Sequence, residues 1–179
     1  MFDGSDEKSG AAYPTSWESP APDGADLALE HFPSFRLALA STHVHRTMTS
    51  VYLKPYGISL AEWRLLATVV RWSTVAMRDV CARSNMDKAQ ISRTVAALAE
   101  AGLIETTADP VHGRRRILRA TAAGRRLFKR ILPDAQRSQA ALLAALTPDE
   151  RAGLFSALAK LTATATRFSK DEGHAQPRR

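Results

Sequence analysis

Two stretches of this 179-residue sequence concentrate side chains able to do chemistry, and both suit the binding of an anion better than the turnover of a substrate. The first is DPVHGRRRILRAT at 109–121, where Arg114, Arg115, Arg116 and Arg119 crowd one short strand-like run. Like charges gathered this way make either a solvated edge that discourages sheet-to-sheet pairing or a surface for a polyanion. The second is DKAQISR at 87–93, where Lys88, Gln90, Ser92 and Arg93 point away from an apolar face of Ile91, Val95 and Leu98. Amide and guanidinium groups on the front half of such a helix can read base edges in a DNA major groove. Ser84, at the end of the preceding helix, can donate to a phosphate. The arginine strand then suits the backbone or the minor groove, whose negative potential favours guanidinium.

Other chemistries find little support. There is no Gly-rich phosphate loop, no paired-carboxylate constellation and no nucleophile elbow, so an enzyme is not expected. Cys81 stands alone, which excludes an intrachain disulfide and a cysteine cluster for zinc, and reads as a small packing residue with no redox role. Of the five histidines only His43 and His45 are close, and two residues apart on a helix they face different ways. No metal and no cofactor are expected. Charge is unevenly spread: residues 1–30 hold seven acids and one lysine, net −6, which leaves 24 bases against 11 acids, +13, in the rest. No apolar run reaches the roughly 18–20 residues that span a bilayer. The acidic, proline-containing start does not read as a secretory signal, so the expectation is a cytoplasmic protein with no membrane partner.

The positioning elements are nearly all helical. Residues 1–28, with Pro14, Pro20, Pro22 and three glycines, read as a flexible acidic arm in which Tyr13 and Trp17 are expected to dock nowhere. A first helix carries Leu37, Val44, Met48, Val51 and Tyr52 and stops near Pro55 and Gly57. Ser59 and Glu62 form a capping box for a second, with Trp63, Leu66, Ala67 and Val70 inward. A short third helix over about 76–83 has Val80 and Cys81 inward, and Asn85 sits at the turn that follows. Asp87 and Gln90 cap the helix bearing Lys88 to Arg93, and Gly102 ends it. LIETTA, the turn DPVHG and RRRILRAT make a two-stranded hairpin. Thr121 caps a long helix with Leu127, Ile131, Ala135, Leu142 and Leu146, kinked at Pro133. Thr147, Pro148 and Glu150 start the last one, with Leu154, Leu158 and Leu161 on one stripe. Helix, helix, short turn, helix and hairpin is the order of a winged helix-turn-helix in a mainly α fold. The flanking helices carry apolar stripes that so small a lobe could not cover alone.

MDKAQISRTVAALAEAGLI, the hairpin after it and RATAAGRRL together resemble the MarR family of bacterial transcription regulators, over roughly residues 32–168. The resemblance implies a winged helix-turn-helix lobe at 59–120. Helices at 29–58 and 121–168 would form an intertwined homodimerisation region between the arm at 1–28 and a polar tail at 169–179. It implies double-stranded operator DNA as a partner, with two recognition helices on successive half-sites. It also implies repression by promoter occlusion, relieved by a small, often phenolic or aromatic effector held between the dimer helices and the lobe. His43, His45 and Arg46 on the first helix, with Trp63 and Arg64 on the second, are the residues here for pairing a carboxylate and walling a ring. Trp63 reads more readily as core than as pocket wall, although it can be both. A free acid, a thioester, an antibiotic and urate all stay open as effectors, as do activation instead of repression and a winged module that binds protein instead of DNA. In the family's wing, Asp-x-Arg precedes a Leu-Thr-x-x-Gly step; here Arg114 falls on the arginine, His112 on the aspartate and Ala120 on the leucine. Asp109 is the nearest acid able to replace the missing aspartate.

Overall fold

The computed structural model describes residues 14–84, 86–109 and 115–175, and among these the side chains of 81–84 and 169–175 lie outside the description. Tyr13, Asn85, His112 and Arg114 therefore fall outside it, as do the Cys81 and Ser84 side chains. The chain divides into two compact units, Met1–Val51 and Tyr52–Arg179.

In the first unit a helical turn α1 (Thr15–Glu18) is followed by a 3-10 turn (Leu29–His31) and by α2 (Pro33–Val44), which begins with a proline where no amide bond is lost. Contrary to expectation Trp17 docks: its indole Nε1 donates to the His31 carbonyl at 2.8 Å. Two acids of the same stretch tie the turns between them. Asp26 Oδ1 accepts from the Ala21 amide at 3.0 Å and Asp23 Oδ1 from the Ala25 amide at 3.1 Å, around Gly24 at φ 71°. The uninterrupted helix foreseen up to Pro55 gives way after Val44 to a π-helical turn, His45–Thr49. Hydroxyls crowd this region, with Thr42, Thr47 and Ser50 donating back to the carbonyls of Ala38, His43 and Arg46 at 2.7–2.9 Å. Such back-bonding competes with the helix ladder and bends it. Apolar spacing alone cannot signal a one-residue widening of this kind.

α3 (Ser50–Leu53) and a 3-10 turn (Lys54–Tyr56) run to Gly57, whose φ of 63° is the left-handed stop the sequence suggested. In the second unit α4 (Leu60–Trp72) opens with the full capping box: the Ser59 hydroxyl accepts from the Glu62 amide at 3.2 Å and the Glu62 carboxylate from the Ser59 amide at 2.7 Å. α4 is the hub. α5 (Met77–Ser84), α6 (Lys88–Glu100), α7 (Ala122–Ala144) and strand β3 (Arg116–Ala120) all pack on it. Leu65 and Val69 are therefore fully buried together with Leu66, although a single inward stripe predicted Trp63, Leu66, Ala67 and Val70. Each such leucine removed from water stabilises by roughly 1.5–3 kcal/mol.

The sheet also differs from the expected hairpin. β1 (Val75–Ala76) precedes α5 and adds a third strand, so the order is β1-β3-β2, with β2 at Ile104–Ala108. The chain reaches β1 through a tight turn in which Ser73 has φ 57° and the Thr74 amide bonds to the Trp72 carbonyl. As the middle strand, β3 buries consecutive residues: Leu118 joins the helical core, while Ile117 is covered between its neighbours Ala76 and Thr107.

α7 continues through Pro133, with Ile131 and Ala135 buried in the core. The Tyr56 hydroxyl pins α7 by donating to Asp134 Oδ2 at 2.8 Å; that bond, burial and the carboxylate's charge raise the phenol's pKa. α8 (Pro148–Ala175) starts where the Glu150 carboxylate accepts from the Thr147 amide at 2.7 Å and from its hydroxyl at 2.9 Å. These two bonds, the amide's first, lower the Glu150 pKa against a small opposing effect of burial. A lowered carboxylate contributes stability that is present above its unfolded pKa and lost as pH falls through the folded one. Melting followed from pH 7 to pH 3 should therefore show Glu150→Gln losing its deficit relative to the parent at the acid end. A constant deficit would assign the cap no pH dependence. No helix among the described residues is long and apolar enough to cross a membrane.

Candidate nucleic-acid interface

The face built by α6 and the strand after it owes its shape to caps and register. Asp87 Oδ1 accepts from the Gln90 amide at 2.7 Å and so fixes the start of α6. Ile91, Val95 and Leu98 bury the inner side as expected, joined by Thr94, whose hydroxyl donates to the Gln90 carbonyl. Lys88, Ser92 and Arg93 are left exposed and Gln90 half-buried. The four do not share one direction. Lys88 and Ser92, one turn apart, face the wing, whereas Arg93 lies one residue and about 100° further round.

The wing is the β2–β3 ladder, closed beyond its last pair, Ala108 with Arg116, by the Asp109 amide donating to the Arg115 carbonyl at 2.8 Å. Arg115, Arg116 and Arg119 are exposed. Arg119 stands opposite Glu105 in the register, a cross-strand pairing of opposite charges at the body end of the hairpin. The base is anchored by Thr121, whose hydroxyl accepts from the Gly124 amide at 3.0 Å and donates to the Gly102 carbonyl at 2.7 Å. Arg125 adds a bond to the Ala120 carbonyl.

Between α6 and the wing lies a concave groove of about 600 Å³. Lys88 and Ser92 line it from α6, Arg115 and Arg116 from the wing, and Ala76, Met77 and Arg78 from the β1–α5 junction. Four of the sequence-derived residues are thus brought to one cavity; Gln90 and Arg93 are not part of its lining. Arg78 and Met77 escape sequence reasoning because their place at the groove depends on the preceding strand, β1, pairing with the sequence-distant β3. Among the described residues ion pairs form only between Arg78 and Asp79, at 3.3 Å, and between Arg137 and Asp134. Lys88, Arg115 and Arg116 therefore meet at the groove with no described acid against them. An arrangement of this sort suits an anionic, extended ligand.

The other candidate residues are split between the two units. In the first, His43 and Arg46 are exposed, while His45, in the π-helical turn, is half-buried with its Nδ1 out of water and without a hydrogen-bond partner. In the second, Arg64 is exposed, and Trp63 is 9% exposed with its ring stacked on Phe128 at 5.3 Å. No group of three His, Cys, Asp or Glu side chains among the described residues could hold a metal ion.

A family model described as MarR family matches residues 56–115, the span from the end of the α3 turn to the wing. Among solved structures, the PcaV transcriptional regulator from Streptomyces coelicolor in complex with its natural ligand is 27% identical, with a TM-score of 0.65 over 78% of this chain and 97% of that one. A probable transcriptional regulator from Pseudomonas aeruginosa is 26% identical, with a TM-score of 0.68 over 75% of this chain and 99% of that one. A mutant MarR from E. coli complexed with operator DNA shares the fold at 22% identity and a TM-score of 0.68, over 75% and 99% of the two chains. A comparison with curated protein sequences finds no match.

Proposed function

Because this chain belongs to the MarR family of transcriptional regulators, we propose that it is a homodimeric DNA-binding repressor that a small aromatic effector releases from its operator. The observation that carries the reading is the groove in which Lys88 and Ser92 of the helix meet Arg115 and Arg116 of the wing. α6 enters the major groove, and the wing, through Arg115 and Arg116, reaches the phosphates or the minor groove beside it. Gln90 and Arg93, turned away from the wing, read base edges. Substituting either with alanine should change base preference at one or two operator positions, by about 1–3 kcal/mol per position. Selection from a randomised duplex pool measures this, and a variant that keeps the parent's preferences removes that residue from base readout.

Dimerisation draws support from apolar side chains left in water in both units. Phe35, Leu37 and Leu39 on α2, and Leu154, Leu158 and Leu161 on α8, are each more than 40% exposed. Apolar exposure of this extent on a lone chain would promote association. Two copies then place two α6 helices one DNA turn apart.

The effector is an aromatic acid or its thioester; that a regulator of this fold takes up a ligand at all is in keeping with PcaV, solved in complex with its natural ligand. In the first unit His43 and Arg46 supply cationic or donor groups, and the unsatisfied His45 Nδ1 offers a buried polar atom that a bound molecule would engage. A thermal-shift screen with aromatic acids and their thioesters should raise the melting temperature, since a ligand at 100 times its Kd stabilises by about 2.7 kcal/mol. No shift with any member at millimolar concentration would contradict this effector class.

A further inference from the structure

The ladder between β1 and β3 pairs Val75 with Leu118 and Ala76 with Ile117. Met77 and Arg78, the first residues of α5 directly after β1, line the groove together with Arg115 and Arg116 of the wing. Four cations, Arg78, Lys88, Arg115 and Arg116, thus border one cavity whose base is Ala76 and Met77. Like charges packed around a concavity repel one another, and an anion lying among them would relieve that repulsion.

We propose that this groove is a cradle for a single phosphodiester strand, and that Arg78 is its third wall and a backbone-binding residue in its own right. The proposal rests on the reading of α6 and the wing as a DNA interface. A helix in the major groove and a wing in the adjacent minor groove have between them the one sugar–phosphate strand that separates those grooves. The lining alternates accordingly. Apolar carbon of Ala76 and Met77 meets deoxyribose faces, while the guanidinium and ammonium groups and the Ser92 hydroxyl meet phosphate oxygens. Arg78 is held through Nε by Asp79 at 3.3 Å in a pair whose side chains are 65% and 45% exposed. So exposed a pair is weak, and the guanidinium is available to exchange the carboxylate for a phosphate. Because a phosphate carries no sequence information, Arg78 sets affinity and register and not base preference.

The test is a salt titration of DNA binding by fluorescence anisotropy, using the full chain and a duplex from its own upstream region beside a scrambled duplex. Removing one phosphate-binding cation should lower the slope of log K against log salt by about 0.9, so Arg78→Ala should flatten it by about 1.8 in a dimer. Affinity should fall by the same factor on both duplexes, and Arg78→Lys should restore most of the slope. Arg137→Ala, at another exposed ion-paired arginine, should leave the slope unchanged. A parental slope in Arg78→Ala overturns the cradle. A loss confined to the specific duplex overturns it too, because that would put Arg78 on a base edge. Failure of the parent protein to bind either duplex in a salt-dependent way would instead remove the DNA interface itself. Melting curves of the three variants, all at exposed positions, check that each is folded.

Discussion

Gly124→Ala is expected to be among the most damaging single-methyl additions to this chain. A Cβ at Gly124 would stand 2.0 Å from the Leu103 carbonyl oxygen, 3.0 Å from its carbon and 3.2 Å from Leu66 Cδ1. The first two are backbone atoms, so no side chain can rotate out of the way. The crowded oxygen accepts from the Thr121 amide at 3.1 Å and lies 3.2 Å from the Thr121 hydroxyl that caps α7. Relief of the clash means lifting the first turn of α7 off the β2 junction, which breaks the cap and loosens the wing's base together. Overpacking of about 1–3 kcal/mol and a lost cap of about 1 kcal/mol make roughly 3 kcal/mol a fair expectation. For a chain of this size that is a fall in Tm of about 6–12 °C. Gly153→Ala is the internal control, since nothing lies within 4 Å of a Cβ there. In the exposed body of α8 it should be neutral or stabilising by up to about 1 kcal/mol. Equal melting temperatures for the two variants would refute the close approach at Gly124.

The double variant Arg115→Ala/Arg116→Ala should have the largest effect on DNA binding with the least on folding, because both side chains are exposed and neither pairs with a described acid. Charge-assisted bonds to phosphate are worth about 1.5–3 kcal/mol each, so affinity should drop by at least about 10²-fold per half-site. The salt slope should decrease by about 3.6 for the four charges removed from a dimer. Arg119→Ala should do much less, since Arg119 faces Glu105 at the opposite end of the strand. Anisotropy titrations of both variants at several salt concentrations separate these outcomes. A double variant that binds like its parent would make the basic wing a solvated edge.

What was legible in the sequence was local. The capping groups at Ser59 and Glu62, Asp87, Thr121, and Thr147 with Glu150 act over three residues, and all are formed. The inner face of α6 follows equally from spacing. The misses depend on distant partners. β1 is two residues long and exists only because β3, some forty positions later, offers it a middle strand. Arg78 is hidden for a related reason, as it shares a groove with Arg115 only once β1, just before it, has paired with β3. Leu65 and Val69 are buried because α4 is surrounded, which no single-stripe pattern conveys. The π-helical turn at His45–Thr49 depends on one extra residue per turn, below the reach of apolar periodicity. Arg114 and His112, the wing-tip residues that the resemblance singled out, lie outside the described residues.

The central claim is that α6 and the wing bind DNA by sequence. It is tested most directly by titrating the purified protein with a duplex from its own upstream region against a scrambled duplex of equal composition, at two salt concentrations. Binding of the specific duplex at least about 10³-fold tighter, with affinity falling steeply as salt rises, is the expected result. Equal affinity for both duplexes, or binding indifferent to salt, would contradict it.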